Sequence, residues 1–315
     1  MGSGELKLFR HEYLKDDDVV GFLDYLACVL RGDITIDYAY DHRCSQAPAH
    51  LQQSGIASTL ADLFARYWWR YKDFAKNAIE LEAHRAALRN AILERPSRTE
   101  ACLAIKGLMD WGLSPKRSAQ NVAWSQRQGE MIVDVLKRGL AALTASEFCG
   151  FRGLKLNAGY AKVYPQLNDK IVIYDGRFGA GLCWLVKRYL ETTGISHVPE
   201  HLQFRWHSGE GDRRRNPSTE LHRFMPLYTA GPWARCTVLA SWILEQARVL
   251  SRASWCAGDG GLRKVEASIF MIGYELPSPH ASARVNQTVG GQFTPLGAHS
   301  ASLQLQKSWS TRQVS

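Results

Sequence analysis

An aspartate that follows an apolar run and opens a helix is a carboxylate with a fixed address. Asp175 is such a residue: Ile171, Val172, Ile173 and Tyr174 precede it, and Phe178 to Leu190 reads at helical spacing through Leu182, Leu185, Val186 and Tyr189. At a helix start, free backbone N–H groups and the helix dipole favour the ionised form. Such a carboxylate can stabilise positive charge developing on a ligand; the plainer reading is a helix N-cap and nothing more. Gly176 allows close approach, and Arg177 can bind a phosphate or pair with a carboxylate. Upstream, Gly159, Tyr160 and Lys162 lie in a glycine-bearing turn ahead of a short helical segment.

The elements that must position these groups read mostly as helices. Val19 to Leu30 presents Val20, Leu23, Leu26 and Leu30 on one side, with Asp18 available as a cap. Ile34, Ile36, Tyr38 and Tyr40 alternate, as in a short strand, although a polar loop fits nearly as well. From Ser58 the helical pattern runs to about Leu93, long enough to require a kink or two successive helices. Within it, Tyr67-Trp68-Trp69-Arg70-Tyr71 would occupy all sides of a helix. Further helices are expected over Ala101 to Trp111, Gly129 to Leu143, Trp233 to Leu250 and Gly261 to Tyr274. The chain lacks the alternation of strands and helices that a βαβ nucleotide fold needs, so the expected fold class is mainly α.

Composition narrows the function classes. With 45% apolar and 22% charged residues the chain is globular in character, and no uninterrupted apolar stretch approaches a membrane span. The seven cysteines are widely spaced with no CxxC pair, which argues for a reduced, cytoplasmic protein without an iron–sulfur or zinc thiolate site. Asp41, His42 and Cys44 cluster, but further metal ligands are missing nearby; no metal or cofactor is expected. Thirty-nine Lys and Arg against 30 Asp and Glu leave +9, compatible with a polyanionic partner. The densest basic run, Arg213-Arg214-Arg215, sits in a polar region spanning 199–232, either a solvated loop or a nucleic-acid contact.

The runs Ala161-Lys162-Val163-Tyr164 and Ile173-Tyr174-Asp175-Gly176-Arg177-Phe178-Gly179-Ala180 resemble the helix-hairpin-helix DNA glycosylases, especially bacterial proteins with the 8-oxoguanine DNA glycosylase fold. In that likeness Gly159 and Lys162 match the hairpin glycine and lysine, and Asp175 the aspartate of the next helix. The spacing departs from the usual pattern: two residues separate Gly159 from Lys162, and the step from Lys162 to Asp175 is short. The resemblance implies a helix-hairpin-helix core over 99–275, an N-terminal helical region over 1–98 and a basic tail over 276–315. It implies cleavage of a base–deoxyribose bond in double-stranded DNA, with a modified base flipped into a pocket.

Asp175 would then stabilise an oxocarbenium-like sugar or activate water, and Lys162 would attack C1′ as an amine or assist. Phosphates would meet the backbone near Gly159 together with Arg177, Arg213, Arg214 and Arg215, and Tyr160 would be a stacking candidate. Some bacterial relatives act against phage DNA carrying glucosylated hydroxymethylcytosine; oxidised-base repair is the enzymatic alternative. A helical DNA-binding or lesion-sensing protein without cleavage is the non-catalytic one.

Overall fold

The computed structural model describes residues 7–44, 46–150, 154–208 and 213–277. In chain order the elements are β1 (Leu8–Phe9), α1 (Arg10–Tyr13), α2 (Asp17–Arg31), β2 (Tyr38–Asp41), β3 (Ser54–Ala57), α3 (Leu60–Ala65), β4 (Trp68–Trp69) and β5 (Lys72–Asp73). There follow α4 (Phe74–Arg89), α5 (Arg98–Gly112), α6 (Pro115–Arg127), α7 (Ile132–Thr144), β6 (Glu147–Phe148), α8 (Tyr160–Leu167), α9 (Gly176–Thr193), α10 (Ala230–Ser251) and α11 (Gly261–Ile272). The fold is mainly helical. Its strands form three small antiparallel pairs: β1 with β6, β2 with β3, and β4 with β5.

Helix α2 starts two residues earlier than its apolar pattern suggests. Asp16, not Asp18, is the cap: its side chain accepts from Val19 N at 3.3 Å, while Asp17 and Asp18 lie in the first turn. The alternation around Tyr38 is a strand, with Tyr38 facing Ala57 and Asp41 facing Ser54 across the ladder. The Ser114-Pro115 step begins α6 as well as ending α5, since proline fits the first helical turn.

The largest departure from the sequence pattern concerns the long helix expected from Ser58 to Leu93. The chain instead makes α3, reverses through the β4–β5 hairpin and starts again as α4. Arg70 and Tyr71 adopt left-handed backbone conformations, with φ of 45° and 69°. That reversal has no trace in a hydrophobic periodicity, because Arg and Tyr are not the residues that usually make it. Asn77 fastens the result: its Nδ2 donates to the carbonyls of Trp69, Lys72 and Asp73. Asp73 caps α4 by accepting from Lys76 N at 2.9 Å.

Helix α2 packs along α10, and α3 along α11. Residues on both sides of the boundary expected near residue 98 share one buried cluster: Phe22, Leu26 and Leu63 lie in it with Leu185, Leu239 and Ile269. Helices α9 and α11 approach unusually closely. A Cβ on Gly181 would strike the Ile269 carbonyl, so only glycine permits that backbone contact. Tyr38 Oη donates to the Glu275 carbonyl at 2.7 Å and ties the end of α11 to β2. Most of the expected basic tail, from 278 onward, and residues 209–212 of the basic loop lie outside the described residues. Among the described residues, no helix is long and apolar enough to cross a membrane.

Candidate active site

The segment before α9 belongs to no helix or sheet, so its backbone must find partners elsewhere. Val172 N donates to Ser241 Oγ on α10 at 3.1 Å, and Ile173 N donates to Glu266 Oε2 on α11 at 2.7 Å. The Tyr174 carbonyl accepts from Trp233 Nε1 at 2.6 Å, and its buried hydroxyl donates to the Arg205 carbonyl at 2.7 Å. Consecutive residues are thus clamped from three directions. The residue they deliver is Asp175.

Asp175 is an N-cap and also more than an N-cap. One oxygen, Oδ1, accepts from Arg177 N at 3.0 Å and Phe178 N at 3.1 Å. The other, Oδ2, lies 3.3 Å from Lys162 Nζ. Burial is the largest influence on the titration of this carboxyl and works against ionisation. The Lys162 charge, the Phe178 N–H and the nearby Arg177 and Arg215 charges together outweigh it, and the group titrates below the ordinary carboxylate range.

Lys162 arrives from α8. Its ammonium also donates to the Ala158 carbonyl at 2.9 Å, so two acceptors hold it. The aliphatic stem runs over Gly112, the last residue of α5, where a Cβ would come within 2.5 Å of Lys162 Cδ. Gly112 is therefore the floor of the lysine's slot. Only 6% of the Lys162 side chain and 15% of the Asp175 side chain are exposed, so any reactant must reach them through a cavity.

Such a cavity exists, with a volume of about 330 Å³, and both Lys162 and Asp175 line it. Its walls include Tyr67, Trp69, Trp111 and Phe270, with polar groups from Asn77, Arg85, Gln166 and Glu266. Aromatic walls with a few polar groups suit a flat, heteroatom-bearing ligand. The Trp111 indole is held by Nε1 donating to Asn77 Oδ1 at 3.3 Å, so the residue that fastens the β4–β5 hairpin also orients a wall. Trp69 and Phe270 meet edge to face at 5.7 Å.

Beside Asp175 stands a cationic patch. The Arg177 guanidinium lies over Trp69, Phe270 and Tyr274 at 4.8 to 5.0 Å from the ring centroids, and its Nη1 has no hydrogen-bond partner. Burial above all, then the charge of Arg215, pulls Arg177 down to about 10. Arg213 sits over the Tyr274 ring at 3.9 Å. Arg214 turns outward, 4.0 Å from Glu275, and its carbonyl accepts from Leu276 N. The basic run thus contributes Arg213 and Arg215 to the neighbourhood of Asp175 and leaves Arg214 on the surface.

Two expected DNA contacts are corrected. The N–H groups of Gly159 and Tyr160 do not face outward to a phosphate; both donate to Asn157 Oδ1, at 3.0 and 3.1 Å. Gly159 is buried, and a Cβ there would meet Asn121 and Met109 at 2.9 Å, so the glycine serves packing inside the protein. Tyr160 is fully buried against Trp124, with ring centroids 4.8 Å apart, and offers no face for stacking on DNA.

Trp69, Trp111 and Gly112 are the residues whose roles sequence reasoning did not single out. The aromatic run around Trp69 was visible, but its use depends on the hairpin. At Gly112 the signal is a glycine closing a helix, which many helices share. Among the described residues no group of three or more His, Cys, Asp or Glu side chains is arranged to hold an ion. His42 is instead buried between Tyr40, Trp68 and Tyr274, and burial pushes its ring down to about 4. Comparison with protein-family models, with curated proteins and with solved structures gives no match to this chain.

Proposed function

We propose that this protein is a DNA glycosylase with a helix-hairpin-helix-like core, cleaving the N-glycosidic bond of a modified base in double-stranded DNA and leaving an abasic site. The single observation that carries the reading is the Asp175–Lys162 pair lining an aromatic-walled cavity of about 330 Å³. A base flipped out of the duplex would enter between Trp69, Trp111 and Phe270, exchanging base stacking for ring contacts. Its deoxyribose would then lie against Asp175. The cationic patch of Arg177, Arg213 and Arg215 would take the flanking phosphates, which supply affinity but little base discrimination.

As the C1′–N bond breaks, the base departs with the electron pair and the sugar acquires oxocarbenium character. Asp175 Oδ2 would stabilise that charge, and its position is held by the two amides that donate to Oδ1. In hydrolysis, water adds its oxygen to C1′, Asp175 accepts the water proton and passes it on to solvent, and the departing base takes up a proton from solvent. In the lyase variant the Lys162 amine, relieved of its proton, adds to C1′ and forms a Schiff base once the sugar ring opens. Substrates with this chemistry include oxidised bases and glucosylated hydroxymethylcytosine.

The test is mass spectrometry of bases released from oxidatively damaged DNA and from phage genomes carrying glucosylated hydroxymethylcytosine. Free-base release by the wild type, lost in Asp175→Asn with DNA binding retained, supports the reading. Binding without release from any such DNA defeats it and leaves a non-catalytic DNA-binding protein. Borohydride trapping that disappears in Lys162→Ala assigns the lyase step to Lys162.

A further inference from the structure

One polar group in the cavity takes no part in the chemistry just described. Gln166 lies one helical turn beyond Lys162 on α8, lines the cavity and is 1% exposed. Its amide nitrogen donates to the Lys162 carbonyl at 3.4 Å, which orients the amide. Its carbonyl oxygen, Oε1, is buried and has no hydrogen-bond partner. A buried acceptor left unpartnered disfavours its state by roughly tenfold to a hundredfold, so a ligand able to donate to it gains a comparable advantage.

An unpartnered donor lines the same cavity. Arg263 uses Nη1 for Glu266 at 2.6 Å and Nη2 for the Pro165 and Ile171 carbonyls at 2.8 Å each, while Nε has no partner. The bond to Pro165 brings this guanidinium to the residue immediately before Gln166. An unpartnered acceptor on α8 and an unpartnered donor on α11 thus belong to side chains that line one space walled by aromatic rings. Planar heterocycles that carry an N–H beside an acceptor nitrogen or oxygen have the matching edge.

We propose that Gln166 is a specificity-determining residue of the cavity: its Oε1 accepts a hydrogen bond from an amino or ring N–H of the bound base, while Arg263 Nε donates to an acceptor on the same edge. The proposal rests on the cavity being a base pocket, and its test separates the two ideas. Ligand-observed NMR titrations of the full chain compare cytosine, 5-hydroxymethylcytosine and adenine with difluorotoluene, a planar base mimic lacking any N–H. The wild type is expected to bind at least one of these bases about tenfold or more tightly than difluorotoluene. Gln166→Leu should abolish that preference without weakening difluorotoluene, and Gln166→Glu, which keeps a carbonyl acceptor, should retain it.

A preference that survives Gln166→Leu unchanged overturns the role of Gln166 while leaving the base pocket standing. Loss of the preference in Gln166→Glu as well as in Gln166→Leu also overturns it, because the acceptor would then not be what matters. No binding by any base overturns both ideas together.

Discussion

Two helix starts in this protein use the same local chemistry and reach opposite ends. At α8, Asn157 Oδ1 accepts from the N–H groups of Gly159 and Tyr160 at 3.0 and 3.1 Å. At α9, Asp175 Oδ1 accepts from those of Arg177 and Phe178 at the same two distances. The difference lies in the remaining atom. Asn157 Nδ2 donates inward to Asn121 Oδ1 at 2.9 Å, whereas Asp175 Oδ2 faces Lys162 at the cavity. A capped helix start becomes a candidate site only when the cap has an ionised atom to spare and a space in front of it.

The sharpest way to break the comparison is to remove the spare charge alone. Asp175→Asn keeps a capping carbonyl oxygen, so base release should fall on the order of a thousandfold while the thermal midpoint moves little. Asp175→Ala should lose the same activity and about 1 kcal/mol of stability besides, measured by urea unfolding. Equal stability loss in the two variants would show that the charge, not the cap, holds α9.

Next in size is the lysine slot. Gly112→Ala places a Cβ 2.5 Å from Lys162 Cδ and should displace the ammonium from Asp175. Base release is expected to drop roughly a hundredfold, since a misplaced reacting group costs about that much. Wild-type rates in this variant would mean that Lys162 need not sit where it does.

The third contrast concerns DNA. Asn157→Ala should cost about 1 kcal/mol of stability as a lost cap and leave the salt dependence of DNA binding unaltered. Arg213→Ala should reduce the slope of log K against log salt by about one, as for a lost phosphate contact. The reverse outcome would return the hairpin amides to the DNA interface.

The smallest effect is in acid. The Asp175 carboxyl titrates below the ordinary value of 3.8, so the stability it contributes is fully present above that value and is lost as pH falls through its folded-state pKa. The urea midpoints of wild type and Asp175→Asn should therefore differ most near neutrality and converge in strong acid. A gap that widens on acidification would reverse the sign of the coupling to Lys162.

Much of the frame was legible in the sequence because capping and helical spacing are short-range. Asp175 caps a helix running from Gly176 to Thr193, close to the span its apolar residues suggest. Pro232 sits in the first turn of α10, and Gly261 opens α11, as their types predict. Where neighbouring residues compete with longer-range partners, the pattern misleads. The stretch Tyr67 to Tyr71 has helical periodicity, yet Asn77 and the left-handed turn at Arg70 and Tyr71 make it a hairpin. In the sequence Tyr160 is a stacking candidate only through its place beside the turn, and packing against Trp124 puts it in the core.

By itself, then, the sequence determined the helical class, the starts of α9 and α11, and the presence of a carboxylate at the head of α9. Only tertiary structure decided that this carboxylate meets Lys162, that Gly112 makes room for the lysine stem, and that Trp69, Trp111 and Phe270 wall one cavity with Gln166 on its lining. The physical reason is distance along the chain. A cap is made by residues two or three apart, whereas the cavity joins segments from Tyr67 to Phe270, whose meeting depends on how whole helices pack.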